Sequence, residues 1–218
     1  YRIVIQSNGN IIVGGRFTAY NGNTCNHLVS LLPNGSIDTS FHTAVGATGD
    51  VEAIAVQEDG KIVIGGDFDY YGGRWSIRVA RVNTDGSADT TFFALPGANK
   101  IVTDIAINDD STIFIVGNFD NYEFQTHNHI AKLNDNGHVD ATFNSGNGTN
   151  AVIWDIELLK NRNILLGGGF SNYNGMLYNG IVQIDNNGAL DTLFKSIPGT
   201  NNQSVNAITI QPDGKIII

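Results

Sequence analysis

A period of 51 residues constrains the fold of this chain more than any other feature of its sequence. A Gly-x-Phe phrase recurs at this step and ends at Phe17, Phe68, Phe119 and Phe170. Four further sets keep the same step: Gly35, Gly86, Gly137 and Gly188; Asp38, Asp89, Asp140 and Asp191; Phe41, Phe92, Phe143 and Phe194; and Tyr20, Tyr71, Tyr122 and Tyr173. Self-similarity at one fixed period is the signature of a repeat architecture. The chain is therefore predicted to be a tandem array of one structural unit.

Residues 51–92 indicate what that unit is. Alternation of large and small residues over 51–57 and a β-branched run over 61–66 predict two strands. The Asp59-Gly60 pair between them supplies the positive φ that a tight turn needs. A third strand is predicted over 78–83 and a fourth, outer strand over 87–93. Four antiparallel strands with short turns make one propeller blade, so the predicted fold is an all-β propeller of four-stranded blades.

The repeat boundaries divide the chain into blades at about 1–50, 51–100, 101–151 and 152–204, with an incomplete blade at 205–218. The fifth copy slips by one residue, and the extra residue is predicted in the loop 195–204, where insertions are tolerated best. Both chain ends supply the same piece of a blade, so we expect four blades and the start of a fifth, joined to further blades or domains of a larger ring. Asp110-Ser111 and Asn161-Arg162 replace the first Asp-Gly turn and are predicted to adopt another turn type.

Two phrases of the repeat carry a resemblance to a known family. Val205–Lys215 leads into a Gly-Gly-x-Phe element in the complete copies, and Thr84–Phe92 contains Asp-Gly-x-x-Asp-x-x-Phe. This pattern resembles the delta-60 repeat family of β-propellers, although Val116 replaces the first Gly of one pair. The resemblance implies a bacterial protein that is secreted or exposed on the cell surface. It implies no common enzymatic activity.

The charge of the chain excludes some classes of partner. Its formal net charge is -9 and its few basic residues are scattered, whereas nucleic acids and anionic membranes attract clustered Lys and Arg. No apolar run approaches the roughly 18 residues that cross a bilayer, so membrane insertion is not predicted. The single cysteine, Cys25, excludes an internal disulfide framework and is interpreted as an inert thiol in a loop.

Residues that recur in every copy are interpreted as structural. The Phe-x-x-Tyr residues are predicted to pack between blades, and the Gly-Gly pairs to allow close backbone approach. The Asn-x-Asp-Gly-x-x-Asp phrases resemble calcium loops and give weak calcium candidates at Asp85, Asp89, Asp140, Asp185 and Asp191. These loops lack the several carboxylates and bidentate Glu that calcium favours, and Asp and Asn also stabilise turns by themselves. No cofactor is therefore predicted, with calcium as the alternative.

Residues that differ between copies are better candidates for a site. The ligand-binding candidates are Tyr70, Arg74 and Trp75 in copy two, Phe124, His127 and His129 in copy three, and Tyr178 in copy four. They are expected on the propeller face that carries the loops between second and third strands and the loops between blades. Exposed aromatic side chains beside Asn and Asp suit a glycan or a protein partner, and ordinary loop cover is the alternative. The two histidines, expected on one strand face, are a possible metal pair.

Two carboxylates are predicted at the mouth of the central channel. Asp104 and Asp155 hold equivalent positions at the start of the innermost strand, where other copies carry Arg2, Ala53 and Ala207. Such a pair can act as acid and base or hold a cation, or it can simply line a solvated channel. The predicted function is a non-catalytic module that binds a glycan or a protein. The alternatives are a glycan hydrolase or lyase centred on the two aspartates and a structural component of a surface fibre or virion.

Overall fold

A computed structural model describes residues 2–93, 95–195 and 204–218 of the chain. Each complete repeat forms a three-stranded antiparallel sheet, with a two-stranded hairpin between its second and third strands. We call these four short hairpins the tip hairpins. Blade one consists of β1 (Arg2–Ile5), β2 (Ile11–Gly14), β3 (Ala19–Tyr20), β4 (Asn23–Thr24) and β5 (Leu28–Leu31). Blade two consists of β6 (Val51–Val56), β7 (Ile62–Gly66), β8 (Tyr70–Tyr71), β9 (Arg74–Trp75) and β10 (Val79–Val82).

The remaining copies repeat the same order. Blade three consists of β11 (Val102–Ile107), β12 (Ile113–Gly117), β13 (Asn121–Tyr122), β14 (Gln125–Thr126) and β15 (Ile130–Leu133). Blade four consists of β16 (Ile153–Leu158), β17 (Ile164–Gly168), β18 (Asn172–Tyr173), β19 (Met176–Leu177) and β20 (Ile181–Ile184). The fifth copy contributes the pair β21 (Thr209–Ile210) and β22 (Ile216–Ile217). The predicted extra residue of this copy falls among 196–203, outside the described residues.

The predicted fourth strand of each blade is much shorter than the sequence pattern indicated. In blade two, the prediction over 87–93 reduces to one bridge between Val82 and Ala88. The chain then turns, because the Asp89 carboxylate accepts a 2.9 Å hydrogen bond from the backbone N–H of Thr91. The same bridge recurs in the other blades as Leu31–Ile37, Leu133–Val139 and Ile184–Leu190. The Asp-x-x-Phe turn, which recurs in each blade, therefore ends the outer strand after one residue pair.

Glycines set the spacing between blades. A Cβ added to Gly65 would lie 2.6 Å from Cγ1 of Val102 in the next blade, closer than side chains pack. Gly14 and Gly167 meet the next blade in the same way. The predicted close approach is thus confirmed for the first Gly of the pair. The second, such as Gly66, instead contacts the segment that enters its own blade.

The repeating tyrosines join elements that are distant in sequence. Tyr71, Tyr122 and Tyr173 are fully buried, and burial raises the pKa of each phenol. Their hydroxyls donate hydrogen bonds of 2.8, 2.9 and 2.6 Å to the carbonyl oxygens of Gly86, Gly137 and Gly188. The same glycine turns receive a backbone hydrogen bond from the preceding blade. The prediction that these residues are structural is confirmed by their burial.

The prediction of a different turn type in copies three and four is wrong. Ser111 and Arg162 adopt φ of 64° and 66°, in the same left-handed region as Gly60 at 84°. The backbone hydrogen bonds also match, since Ser111 N–H donates to Asn108 and Gly60 N–H donates to Gln57. Strand pairing on both sides of the turn fixes its length and register. The substituted residues therefore take the conformation that glycine adopts elsewhere.

Cys25 follows the tip hairpin of blade one and is 8% exposed. It packs in a cluster with Val29 and Leu31, and burial raises the pKa of its thiol. A buried thiol of raised pKa is a poor nucleophile, which supports the interpretation as an inert residue. In the described part of the chain, no helix is long and apolar enough to cross a membrane.

Candidate functional site

β-Bulges shape the channel mouth. The first strands of blades two, three and four each shift register near their start. Glu52, Thr103 and Trp154 are therefore the residues skipped in the pairing of the first strand with the second. A bulge re-aims the side chains around it. These three positions are equivalent in the repeat, yet each carries a different residue. The channel mouth is therefore a place where the fold is shared and the chemistry differs between copies.

Arg2, Asp104 and Asp155 form what we call the channel-mouth cluster. Nη2 of Arg2 contacts Oδ1 of Asp104 and lies 3.5 Å from Oδ1 of Asp155. The two aspartates are 4% and 6% exposed. Sequence analysis placed the pair correctly in neighbouring blades, but the interpretation as a solvated channel lining is wrong, because both carboxylates are buried.

Both carboxylates also bind the backbone of the blade that follows. Oδ2 of Asp104 accepts a hydrogen bond of 3.2 Å from the N–H of Ile156, and Oδ2 of Asp155 accepts one of 2.5 Å from the N–H of Ile208. Oδ1 of Asp104 accepts a third from Ile105 at 2.9 Å. Every carboxylate oxygen of the pair thus has a partner within the protein. The aspartates tie three successive blades together.

The protonation of Asp104 reflects this environment. Burial raises its pKa to about 7, the hydrogen bond with Asp155 adds to the rise, and the Arg2 cation opposes it. A carboxyl group that titrates near neutral pH can take part in acid–base chemistry. Here the same group is held by hydrogen bonds from two backbone N–H groups, which restricts its access to a substrate.

A cavity of about 420 Å³ opens beside the cluster. Glu52, Thr103, Trp154 and Asn206 line it together with Arg2 and Asp155. Trp154 is 41% exposed, and burial raises the pKa of Glu52. Sequence analysis missed Glu52, Trp154 and Asn206 as channel-mouth residues. The available signal was their equivalent position in the repeat, directly before the position that Asp104 and Asp155 hold.

The tip hairpins lie away from the channel mouth. A Cβ on Gly72, at the tip of β8–β9, would lie 3.2 Å from Cβ of Ala88, which belongs to the outermost bridge of the blade. The hydroxyl of Tyr71 in this hairpin reaches Gly86 in the same outer region. The tip hairpins therefore fold against the outer edges of their blades. The hairpins also bridge to the segments that arrive from the preceding blade, as Tyr71 does to Ala47. The expected grouping of these two kinds of loop is therefore seen, and the hairpins extend from it along the outer rim.

The hairpin of copy two presents an aromatic pair. The rings of Tyr70 and Trp75 have centroids 4.1 Å apart at an angle of 33°, and Trp75 is 56% exposed. Arg74, the residue before Trp75, is also exposed. Nearby, Arg78 pairs with Asp69 at 2.7 Å. The structure thus brings Tyr70 and Trp75 together on one face of the hairpin, whereas Arg74 pairs with Tyr71 and lies on the other.

The candidates of copy three are separated by the structure. Phe124 is 87% exposed at the hairpin tip, whereas His129 is 7% exposed. Nδ1 of His129 donates a 3.0 Å hydrogen bond to the carbonyl of Thr149, and φ of His129 is 69°. His127 and His129 lie in the bend that leads from β14 to β15, so the prediction of a shared strand face is wrong. Burial lowers the pKa of both imidazoles.

In copy four, the predicted candidate Tyr178 is half-buried and packs against the core between blades three and four. The two residues before it are the exposed ones. Met176 is 53% exposed and Leu177 is 76% exposed. Leu177 occupies the position of Trp75 in the repeat, and this equivalence was the signal that sequence analysis did not use.

The carboxylates of the calcium candidates have partners in their own turns. Asp89 pairs with Arg81 at 2.8 Å and with Lys61 at 3.1 Å. Burial alone would raise the pKa of Asp89, but hydrogen bonds from Thr91, Lys61 and Arg81 hold it well below its usual range. The others bond as follows: Asp85 to Ser87, Asp140 to Lys132 and Thr142, Asp185 to Asn187 and Ala189, and Asp191 to Gln183, Asn163 and Leu193. Among residues 2–93, 95–195 and 204–218, no group of three or more His, Cys, Asp or Glu residues is placed to hold a metal ion.

Comparison with known families agrees with this architecture. Residues 6–41, 57–92, 109–143 and 160–194 match the family described as "Domain of unknown function (DUF5122) beta-propeller". The chain belongs to this family. The four matches fall on the four complete blades and together cover more than half of the sequence. No curated protein sequence matches the DUF5122 chain.

Solved structures similar to the DUF5122 chain have low sequence identity to it. Virginiamycin B lyase from Staphylococcus aureus is 14% identical with a TM-score of 0.57, over 98% of this chain and 60% of the lyase. PorZ of Porphyromonas gingivalis, described as an essential bacterial surface component of the type-IX secretion system, is 16% identical with a TM-score of 0.50, over 75% of this chain and 24% of PorZ. A protein of unknown function from Bacteroides caccae is 13% identical with a TM-score of 0.46, over 86% of this chain and 64% of that protein. The DUF5122 chain thus spans less than two thirds of each.

Proposed function

We propose that the DUF5122 chain is a non-catalytic propeller module of a secreted or cell-surface bacterial protein. It binds a glycan or a protein through its tip hairpins. The resemblance of its phrases to delta-60 repeats supports a bacterial surface setting, and one structurally similar protein is itself described as a bacterial surface component. The proposal includes no nucleic-acid partner and no membrane insertion, in keeping with the net charge of -9. It also includes linkage to further blades or domains.

One observation carries this proposal. The repeat is kept at the buried tyrosines and at the glycines between blades, and it is broken at the exposed tips of the hairpins. The broken positions carry large apolar groups, namely Trp75, Phe124, Met176 and Leu177, at 53–87% exposure. Exposed aromatic side chains are enriched where proteins bind partners. Blades that share one framework and carry different side chains at their hairpin tips are suited to binding a specific partner.

The test uses Trp75→Thr, because threonine stands at the equivalent positions Thr24 and Thr126. The wild-type chain and the variant are applied to a glycan array and to a panel of bacterial surface proteins, with binding measured by biolayer interferometry. We expect at least one partner to bind wild type and to bind the variant at least about tenfold more weakly. The proposal fails if the chain binds nothing in either panel and instead assembles into ordered fibres, which would favour the structural role.

The second candidate function is a glycan hydrolase or lyase. The raised pKa of Asp104 beside Asp155 and the adjoining cavity favour it. Their burial and their backbone hydrogen bonds count against it. Glycan turnover by wild type that disappears in Asp104→Asn and Asp155→Asn would establish the enzyme, provided that both variants keep the wild-type circular dichroism spectrum. Turnover that persists in folded variants would exclude these residues as catalysts.

A further inference from the structure

The four tip hairpins share one turn geometry, and copy three departs from the residues that suit it. Both central residues have positive φ: 47° and 79° for Asn21-Gly22, 57° and 80° for Gly72-Gly73, and 51° and 81° for Asn174-Gly175. Asn-Gly and Gly-Gly are the preferred pairs for this type of turn. Copy three keeps the geometry, at 49° and 60°, with Glu123 and Phe124.

Glu123 is held in this conformation by its side chain. Oε1 lies 2.5 Å from Nδ1 of His138, and Oε2 accepts a 3.0 Å hydrogen bond from the N–H of Val139. The backbone N–H of Glu123 donates to the carbonyl of Pro96 at 2.9 Å. Three contacts thus fix the hairpin to the outer turn of blade three and to the segment arriving from blade two. They account for the left-handed conformation of Glu123.

The left-handed conformation of Phe124 is not explained by contacts of its own side chain. Its side chain is 87% exposed, so its ring gains little from burial within the chain. A non-glycine residue in the left-handed region is strained, and such strain concentrates at functional sites. Glycine occupies the equivalent position in all three other hairpins. A large apolar residue at this position is disfavoured by both the backbone and the solvent.

Further apolar side chains lie around the same tip. The ring of Phe93 stacks on His138, with centroids 5.9 Å apart and an angle of 12°, and His138 is the partner of Glu123. Phe93 is 54% exposed, and Leu95, directly before Pro96, is 48% exposed. We call Phe93, Leu95, Phe124 and His138 the rim patch. It spans the seam between blades two and three, with Phe124 as its most prominent side chain.

The chemistry of the rim patch selects one class of partner. Its three most hydrophobic members carry no side-chain hydrogen-bonding group, whereas glycan recognition needs polar groups around an aromatic platform. The net charge of -9 opposes nucleic acid and anionic membranes. The carboxylate of Glu123 is already paired. What remains is an apolar pocket on another protein, with basic residues outside it to complement the acidic chain.

We propose that the rim patch is a protein-docking site in which Phe124 inserts into an apolar pocket of the partner. This inference rests on the proposed function and makes it more specific. The contacts of Glu123 fix the backbone of the turn that carries Phe124, so little backbone freedom is lost on contact. Exposed aromatic side chains are typical of the residues that dominate protein interfaces.

The decisive variant is Phe124→Gly in the full chain, which restores the residue of the other hairpins. The matched control is Arg162→Gly, which relieves a left-handed residue at φ of 66° in a different turn. A random-peptide phage library is selected on wild type, and the enriched peptides are synthesised. We expect them to combine aromatic or aliphatic residues with Lys or Arg. We expect them to bind Phe124→Gly at least about tenfold more weakly and to bind Arg162→Gly as they bind wild type.

Stability separates docking from packing. We expect Phe124→Gly to unfold at the same urea concentration as wild type or at a higher one, because glycine adopts positive φ without strain. A clear fall would make Phe124 a packing residue and overturn the proposal. Equal peptide binding by all three proteins, or no enriched peptide, would also overturn it. Binding that is lost in Trp75→Thr but kept in Phe124→Gly would leave the proposed function intact and remove only this inference.

Discussion

The channel-mouth cluster and the tip hairpins both break the 51-residue repeat, but they do so in opposite ways. In the channel-mouth cluster, the non-repeating residues are charged, and the two carboxyl groups are bound within the fold. Asp104 and Asp155 are 4% and 6% exposed and bind the backbone of the next blade. At the tips, the most exposed large non-repeating residues are apolar, and Phe124 is 87% exposed.

This contrast reverses the usual expectation for each residue type. Buried carboxylate pairs are familiar from active sites, yet here their partners are backbone N–H groups of neighbouring blades. Phenylalanine is ordinarily a core residue, yet Phe124 lies two residues from fully buried Tyr122 and faces solvent. In a repeat protein, a residue that differs between copies is a strong candidate for a site only when the fold leaves its functional groups free.

Removing the Asp104 carboxyl group from the channel mouth is the largest expected perturbation. Asp104→Ala leaves the N–H of Ile156 without its acceptor and takes away the closest partner of Arg2. We expect the free energy of unfolding at pH 5 to fall by about 2–3 kcal/mol, the cost of an unsatisfied buried group and a lost hydrogen bond. Urea unfolding followed by fluorescence measures this change.

Asp109→Ala is the matched control, because Asp109 is an exposed aspartate of the same blade. We expect it to change the free energy of unfolding by less than about 0.5 kcal/mol. Similar, small effects of the two substitutions would break the comparison, since the channel mouth would then not depend on Asp104.

The same carboxyl group predicts a pH dependence of stability. Its pKa is raised to about 7 in the folded protein, above the value of roughly 3.9 for an unfolded aspartate. The folded state therefore holds the proton more tightly. The stabilisation from Asp104 is fully present below about pH 4 and is lost as the pH rises through about 7.

Urea unfolding between pH 4 and pH 8 tests this slope. Burial also raises the pKa of Glu52 and Glu157, which act in the same direction, so Asp104→Asn is needed to isolate the contribution of Asp104. We expect a shallower slope in Asp104→Asn than in wild type. Identical slopes would show that other groups account for the whole effect.

A buried hydroxyl gives the next largest effect, within the hairpin that carries Phe124. Tyr122→Phe removes a 2.9 Å hydrogen bond to Gly137 and leaves the buried carbonyl without this donor. We expect a loss of about 1–2 kcal/mol in the free energy of unfolding. Tyr20→Phe removes the equivalent 3.0 Å bond to Gly35 at a half-buried site. It should have a smaller effect, because water can replace the lost partner, and an equal or larger effect would contradict the role of burial.

The fold was largely predictable because a blade is set by local features that recur. Period-2 patterns, Asp-Gly turns and the spacing of Tyr71, Tyr122 and Tyr173 predict strands, hairpins and packing. The outer strand was predicted too long, because the bonds of Asp89 to Thr91 end it early. The turns at Ser111 and Arg162 were predicted wrongly, because strand pairing overrides the preference of single residues.

The site was only partly predictable. Equivalent positions in the repeat placed Asp104 and Asp155 in neighbouring blades, but the reach of Arg2 across the channel depends on tertiary geometry that no local pattern encodes. The bulges that bring Glu52 and Trp154 to the cavity leave no trace in the alternation of residues. The strain at Phe124 was readable in principle, because the other three copies carry glycine there.

Arg162→Gly has the smallest expected effect on the free energy of unfolding. It measures what a non-glycine residue at positive φ costs in this fold. Arg162 and Phe124 are both exposed, non-glycine residues at positive φ. Other copies carry glycine at the position of Arg162, namely Gly9, Gly60 and Gly214. Relief of left-handed strain stabilises, while the added freedom of glycine in the unfolded chain opposes it. We expect the free energy of unfolding to stay equal or to rise by up to about 1 kcal/mol, measured by urea unfolding. If Arg162→Gly clearly destabilises the chain, positive φ is not a source of strain in this fold, and the unusual conformation of Phe124 loses its force as a sign of function.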